Sequence, residues 1–170
     1  MTIRVDSVEY RCWHEVGHAT VCLHLGGDLE CIEFLDGDPR GHARARCIVG
    51  PEIERIVACG GLAAEFYLLK NKYAEQGSDD KRDINLIVLG NAMSDCASFW
   101  GHKLTNDLAF TEAEGREFMN AAIGSDGCGG VLPIFDLYIS RMQAIVREIC
   151  EAKRIEGARV KELLRLGIAR

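Results

Sequence analysis

Between Asp6 and Leu25 the apolar residues Val8, Trp13, Val16, Val21, Cys22 and Leu25 recur at helical intervals, and Gly26-Gly27 follows them. That spacing predicts a first helix over residues 6–25 that stops at the glycine pair. Cys31-Ile32-Glu33-Phe34-Leu35 then alternates, residues 36–41 are rich in turn formers, and residues 42–48 alternate again. This pattern predicts a β-hairpin or two short strands. Pro51 can open a second helix at its first position, with Ile53, Ile56, Val57, Gly60, Ala63, Ala64 and Tyr67 marking its buried face. Residues 71–78 read as a loop, and a third helix runs from Ser78 or Asp79 toward Phe99. Thr111-x-x-Glu114 has the form of a capping box for a fourth helix. Residues 124–130, with four glycines in seven positions, form a flexible connection, and residues 133–153 and 156–166 finish the chain as helices. The expected fold class is mainly α (α+β), a single domain over residues 1–170 with a small β-hairpin.

The run Gly60-Gly61-Leu62-Ala63-Ala64 lies in the middle of the second predicted helix. Glycine there costs about 1 kcal/mol relative to alanine, and the expected compensation is close approach of another helix. Composition narrows the classes further. The chain has 170 residues, 48% apolar and 27% charged, with a net charge of −6. That balance suits a globular domain and argues against nucleic acid as a partner, which would call for a basic stripe. Apolar runs are too short for a membrane span, and the first residues lack the basic start and apolar core of a signal peptide. The eight cysteines are scattered, with no C-x-x-C pair. They read as reduced, mostly buried thiols of a cytoplasmic protein. The glycine-rich connection lacks the residues of a phosphate loop.

The chemistry concentrates in His14-Glu15-Val16-Gly17-His18, an H-E-x-x-H pentad inside the first helix. Histidines four apart on a helix differ by roughly 40° of rotation, so both imidazoles leave one face and can reach one metal ion. Glu15 can then serve as base toward a water that the ion activates. A catalytic zinc ion normally takes three protein ligands, and the sequence offers several candidates for the third. His24 has the right offset for a same-segment histidine, but Val21 stands where that arrangement needs a glycine turn. Glu65 could be a ligand, a partner behind a ligating histidine, or a solvent-facing residue. In Gly77-Ser78-Asp79-Asp80-Lys81-Arg82-Asp83-Ile84, Asp79 and Asp80 suit a helix N-terminus. Asp83 lies beside the apolar Ile84, Ile87 and Val88, where a buried carboxylate would need a cation.

These residues resemble a family. Cys12 to Ala19 is similar to the HEAGHA motif in the peptidase domain of FtsH-type AAA proteases, Gly60 to Glu65 resembles that family's G-G-x-A-A-E helix, and Gly77 to Ile87 resembles its glycine-led loop and aspartate-bearing helix. The three motifs occur in the family's order over roughly residues 6–95. The resemblance implies Zn2+ as cofactor, His14 and His18 as ligands, Glu15 as catalytic base and Asp83 as third ligand. The spacing from glycine to aspartate is longer here than in the family, which keeps Asp80 as an alternative.

The resemblance therefore implies a stand-alone zinc metallopeptidase that hydrolyses peptides or unfolded polypeptides, without the family's ATPase module. It also allows a homo-oligomer, as the related domains form rings, and a separate ATPase partner. The strand Cys31–Leu35 is a candidate to align an extended substrate, and His42 a candidate to stabilise an oxyanion. The alternative is a non-catalytic zinc-binding module acting in protein–protein interaction.

Overall fold

Helix α1 (Val8–His24) is the element around which the others assemble. Ser7 caps it, its hydroxyl accepting the Tyr10 N–H at 3.1 Å, and Gly26 turns the chain out of it at φ 84°. Tyr10, Cys12, Trp13, Val16, Ala19, Val21 and Cys22 are all buried, so the helix is covered on most of its circumference. The structure, a computed structural model, describes residues 2–35, 42–77, 81–103, 105 and 108–165, with the backbone alone for residues 85 and 86.

Strands β2 (Asp28–Phe34) and β3 (Ala43–Ile48) pair antiparallel, as their alternation predicts. The turn expected over residues 36–41 lies outside the described residues. Strand β5 (Arg154–Glu156) adds to the other side of β2, giving the order β3-β2-β5. A second, two-stranded parallel pair joins β1 (Ile3–Arg4) to β4 (Ala74–Glu75). These three short strands escape the sequence pattern because two or three residues are too few to show a period of two. The fold is mostly helical with small sheets, as the sequence indicates.

Two predicted helices are each broken into a pair. The segment from Pro51 divides at Cys59 into α2 (Pro51–Ala58) and α3 (Gly60–Lys70). The segment expected from Ser78 to Phe99 begins later and divides at Ala92 into α4 (Ile84–Asn91) and α5 (Met93–Trp100). Helix α6 (Glu112–Ile123) has the capping box in full: Thr111 Oγ1 accepts the Glu114 N–H and Glu114 accepts the Thr111 N–H. Helices α7 (Leu132–Ala152) and α8 (Gly157–Leu164) complete the chain. Phe135, Met142, Ile145 and Ile149 of α7 lie in the same core as α1.

The small-residue run does bring two helices together. A Cβ on Gly17 would stand 2.3 Å from the Gly60 carbonyl oxygen, and one on Gly60 would stand 2.8 Å from the Gly17 carbonyl. Backbones of α1 and α3 therefore meet where any larger residue would separate them.

Candidate metal centre

His14 and His18 leave the same side of α1, as their spacing requires, and their Nε2 atoms lie 3.2 Å apart. What holds the rings in place is on their other nitrogens. His18 Nδ1 donates to the carbonyl of Val57 at 2.8 Å. Val57 is near the end of α2, where carbonyls lose their in-helix partners, so the break at Cys59 supplies this acceptor. His14 Nδ1 donates to Glu65 Oε1 at 2.8 Å. Glu65 is 1% exposed and also accepts from Asn91 Nδ2 at 3.1 and 3.3 Å. A carbonyl oxygen and an ionised carboxylate can only accept, so each Nδ1 carries a proton. In the neutral rings that leaves both Nε2 lone pairs directed at one another.

The third group facing this space is Asp95. Its Oδ2 lies 3.1 Å from His14 Nε2 and its Oδ1 lies 3.3 Å from His18 Nε2. Asp95 is 8% exposed, and Oδ2 closes no hydrogen bond of good geometry among the described residues despite that proximity. Two imidazole lone pairs and a buried carboxylate converge with nothing but acceptors between them. Only a proton or a cation satisfies such an arrangement. His14, His18 and Asp95 are thus a group that could hold a metal ion, its donor atoms all within 4.8 Å of one another.

Protonation is the alternative filling, and the electrostatics follow it. Burial works against a charged His14, but the Asp95 carboxylate and then Glu65 outweigh it and hold its pKa well above the ordinary value. His18 is raised against the same burial, chiefly by Asp95. Burial would push the Asp95 pKa up, yet the two histidines bring it well below the usual carboxylate range. A bound cation would replace the shared proton in this role.

Asp83, expected as the third ligand, does not join this group. It is exposed at the start of α4, where its carbonyl accepts the Ile87 N–H at 3.1 Å. The carboxylate that reaches the histidines comes twelve positions later, from the first turn of α5. Asp80, the alternative, lies outside the described residues. Glu65 takes the second of its three readings, behind a histidine. His24 points elsewhere, its Nδ1 3.2 Å from the Tyr138 hydroxyl. His42, at the start of the β3 segment, is half-buried and its carbonyl accepts the Leu35 N–H.

Glu15 is half-buried, and its Oε2 accepts the backbone N–H of Ala45 at 2.7 Å. Ala45 belongs to β3, which among the described residues pairs with β2 alone. The His42 carbonyl accepts from Leu35 on the β2 side, and the Ala45 N–H, turned to Glu15, faces the other, outer edge. The strand once expected to align a substrate, Cys31–Leu35, cannot do so. It is the central strand, with β3 on one side and β5 on the other.

Gly61 has a specific part in this geometry. A Cβ there would stand 2.3 Å from His14 Nε2. The second glycine of the pair therefore leaves room for the ring that the first helix projects.

Asp95 and Asn91 are the residues that sequence reasoning missed. A signal for Asp95 was present: Ala92 at i−3, Cys96 at i+1 and Phe99 at i+4 put it on the apolar side of its helix, and all three are buried. Asn91 carries no comparable signal. No protein-family model matches the chain, and no curated protein matches it. Among the described residues, no helix is long and apolar enough to cross a membrane.

Proposed function

We propose that the chain is a zinc-dependent metallopeptidase that hydrolyses peptides or unfolded polypeptide segments. The observation that carries this reading is the convergence of His14 Nε2 and His18 Nε2, 3.2 Å apart, on the Asp95 carboxylate, whose Oδ2 lies 3.1 Å from the first and whose Oδ1 lies 3.3 Å from the second. Ligand atoms at ~2.0–2.1 Å from a tetrahedral zinc ion lie ~3.3 Å apart. The donor set, two histidines and one carboxylate, is a usual one for catalytic zinc and leaves a fourth position open. When bound, the ion would supply Lewis-acid polarisation of a carbonyl and acidify a water.

The chain's own residues supply the rest. Glu65 and the Val57 carbonyl fix the tautomers and orientations of the two ligating rings. Asp95 takes the part that the family resemblance gave to Asp83. Glu15, next to His14 in sequence, would accept the proton of the attacking water and return it to the leaving amine. The outer edge of β3, tied to Glu15 through Ala45, offers backbone groups to an extended peptide. The resemblance to FtsH-type peptidase domains supports this reading, now on the pentad and the Gly60 to Glu65 motif. Eight free cysteines support a cytoplasmic setting.

The second reading, a non-catalytic zinc module, has one observation in its favour. Glu15 is already engaged with a backbone N–H, which is a structural use for the same carboxylate. Glu15→Gln separates the two, because the amide oxygen can still accept from Ala45 but cannot act as a base. Metal analysis of the purified protein is paired with a casein or peptide-library digest, with and without chelator. Chelator-sensitive cleavage that Glu15→Gln abolishes while zinc stays bound supports the peptidase. Zinc without cleavage in the unaltered protein would leave the binding module.

A further inference from the structure

Cys12 and Cys150 are 138 positions apart in the chain, yet their sulfur atoms lie 3.5 Å from one another. Cys12 is fully buried on α1, two residues before His14, and Cys150 is half-buried in the last turn of α7. Cys150 also lines a cavity of about 540 Å³, together with Glu9, Trp13, Val146 and Glu151. One thiol of the pair therefore borders a space that a small solute can enter, and the other waits behind it. A disulfide needs its sulfurs about 2.05 Å apart, so bond formation has to close the present 3.5 Å separation.

We propose that Cys12 and Cys150 are a peroxide-sensitive dithiol site that closes into a disulfide between α1 and α7. The Cys150 sulfur attacks hydrogen peroxide; an S–O bond forms, the O–O bond breaks, and one water leaves with the thiol proton. Cys12 then attacks the sulfenic sulfur of Cys150; the S–S bond forms, the S–O bond breaks, and a second water leaves with the Cys12 proton. Two thiols lose two electrons and one peroxide is reduced to two waters. The cavity carries charges of both signs, Glu9 and Glu151 with Arg147, and hydrogen peroxide, small and neutral, enters it without needing a charged partner. A dithiol reductant reverses the step by exchange.

The other neighbouring thiols provide an internal control. Cys22 and Cys47 also face each other between α1 and β3, but Cys22 Sγ is turned to the Asp28 carbonyl at 3.2 Å. The full chain is treated with hydrogen peroxide, its remaining thiols are alkylated, and the digest is mapped by mass spectrometry. The expected result is a peptide linked through Cys12 and Cys150, two fewer alkylated thiols, and full reversal by dithiothreitol. The linked form should also melt at a higher temperature, since the bond closes a long loop in the unfolded chain. Cys150→Ser, at a half-buried position, should abolish the link and the melting shift. Three results overturn the proposal: all eight thiols still alkylated, Cys150 carried to sulfinic acid without a link, or a link confined to Cys22 and Cys47. None of these readouts depends on zinc or on peptide cleavage.

Discussion

Helices α4 and α5 are consecutive, equal in length and separated by a single residue, Ala92. Each has one aspartate that could serve a metal. Asp83 precedes α4 and is exposed, whereas Asp95 lies within α5 and is 8% exposed beside two histidines. On one unbroken helix, twelve positions would put the two carboxylates about 120° apart. The break at Ala92 resets the direction, and it gives the two helices separate duties. The end of α4 contributes Asn91 to Glu65, and the first turn of α5 contributes Asp95 to the histidines. A carboxylate's chemistry follows from what its helix faces, and proximity to the metal-binding motif in sequence is a poor guide to that.

The largest test of this contrast removes the buried member. Asp95→Asn keeps the shape of the side chain but gives up the anionic donor. Replacing residues behind metal ligands typically lowers affinity about 10–100-fold, so loss of a direct ligand should exceed about 100-fold. Zinc titration by calorimetry or competition with a chromophoric chelator would measure it. Retention of full affinity would remove Asp95 from the site.

Gly61→Ala should follow in size. The added methyl would lie 2.3 Å from His14 Nε2, so either the ring leaves the cluster or α1 and α3 separate. Overfilling of this kind costs about 1–3 kcal/mol, and metal affinity should fall with it. Gly90→Ala in α4 is the counterpart, because nothing lies within 4 Å of a Cβ there. It should leave metal binding alone and stabilise the fold by up to about 1 kcal/mol. Chemical denaturation of the two variants gives the comparison directly.

The order of these effects also marks what could be read without coordinates. The register of His14 and His18 on one face of α1, the close approach at Gly60-Gly61 and the cap at Thr111 rest on local rules, and the structure has all three. Pattern alone leaves Glu65 three roles, and the His14 contact selects one. Asp95 escapes the pattern because nothing local marks the break at Ala92 in a helix read as continuous from Ser78, and because the family motif aligns its aspartate with Asp83. Asn91 and the short strands depend on which surfaces meet in space, and no local period encodes that. The Ala45–Glu15 bond is of the same kind, joining a strand edge to a helix thirty positions away.

Acidity provides a test with opposite signs in the two forms of the site. In the metal-free protein Asp95 is stabilised as an anion and His14 as a cation. The carboxylate's contribution is fully present above its unfolded value near 3.8 and is lost as pH falls through its lowered folded value. The imidazole's contribution is fully present below 6.5 and is lost as pH rises through its raised folded value. Metal-free stability from this cluster should therefore be greatest between those limits and decline toward alkaline pH. Metal affinity should do the reverse and climb with pH, because the ion must displace the proton that His14 holds. Thermal melts across pH, with zinc and with chelator, should diverge as pH rises. Parallel curves would mean that the ion does not bind at these histidines. Glu65→Gln should weaken zinc binding by about 10–100-fold, a smaller loss than Asp95→Asn.

The smallest effect belongs to the other aspartate. Asp83→Asn preserves a residue that serves equally well at a helix N-terminus, and the exposed position allows water to replace any lost charge contact. Surface changes of this kind usually stay within about 0.5 kcal/mol. Zinc affinity and, if the peptidase reading holds, cleavage rate should match those of the unaltered chain. A loss of zinc comparable to that of Asp95→Asn would mean that the segment before α4 folds inward when the ion binds. In that case the contrast between α4 and α5 would describe only the metal-free protein. Equal zinc binding by Asp83→Asn and the parent would instead leave Asp95 as the carboxylate that completes the pair of histidines on α1.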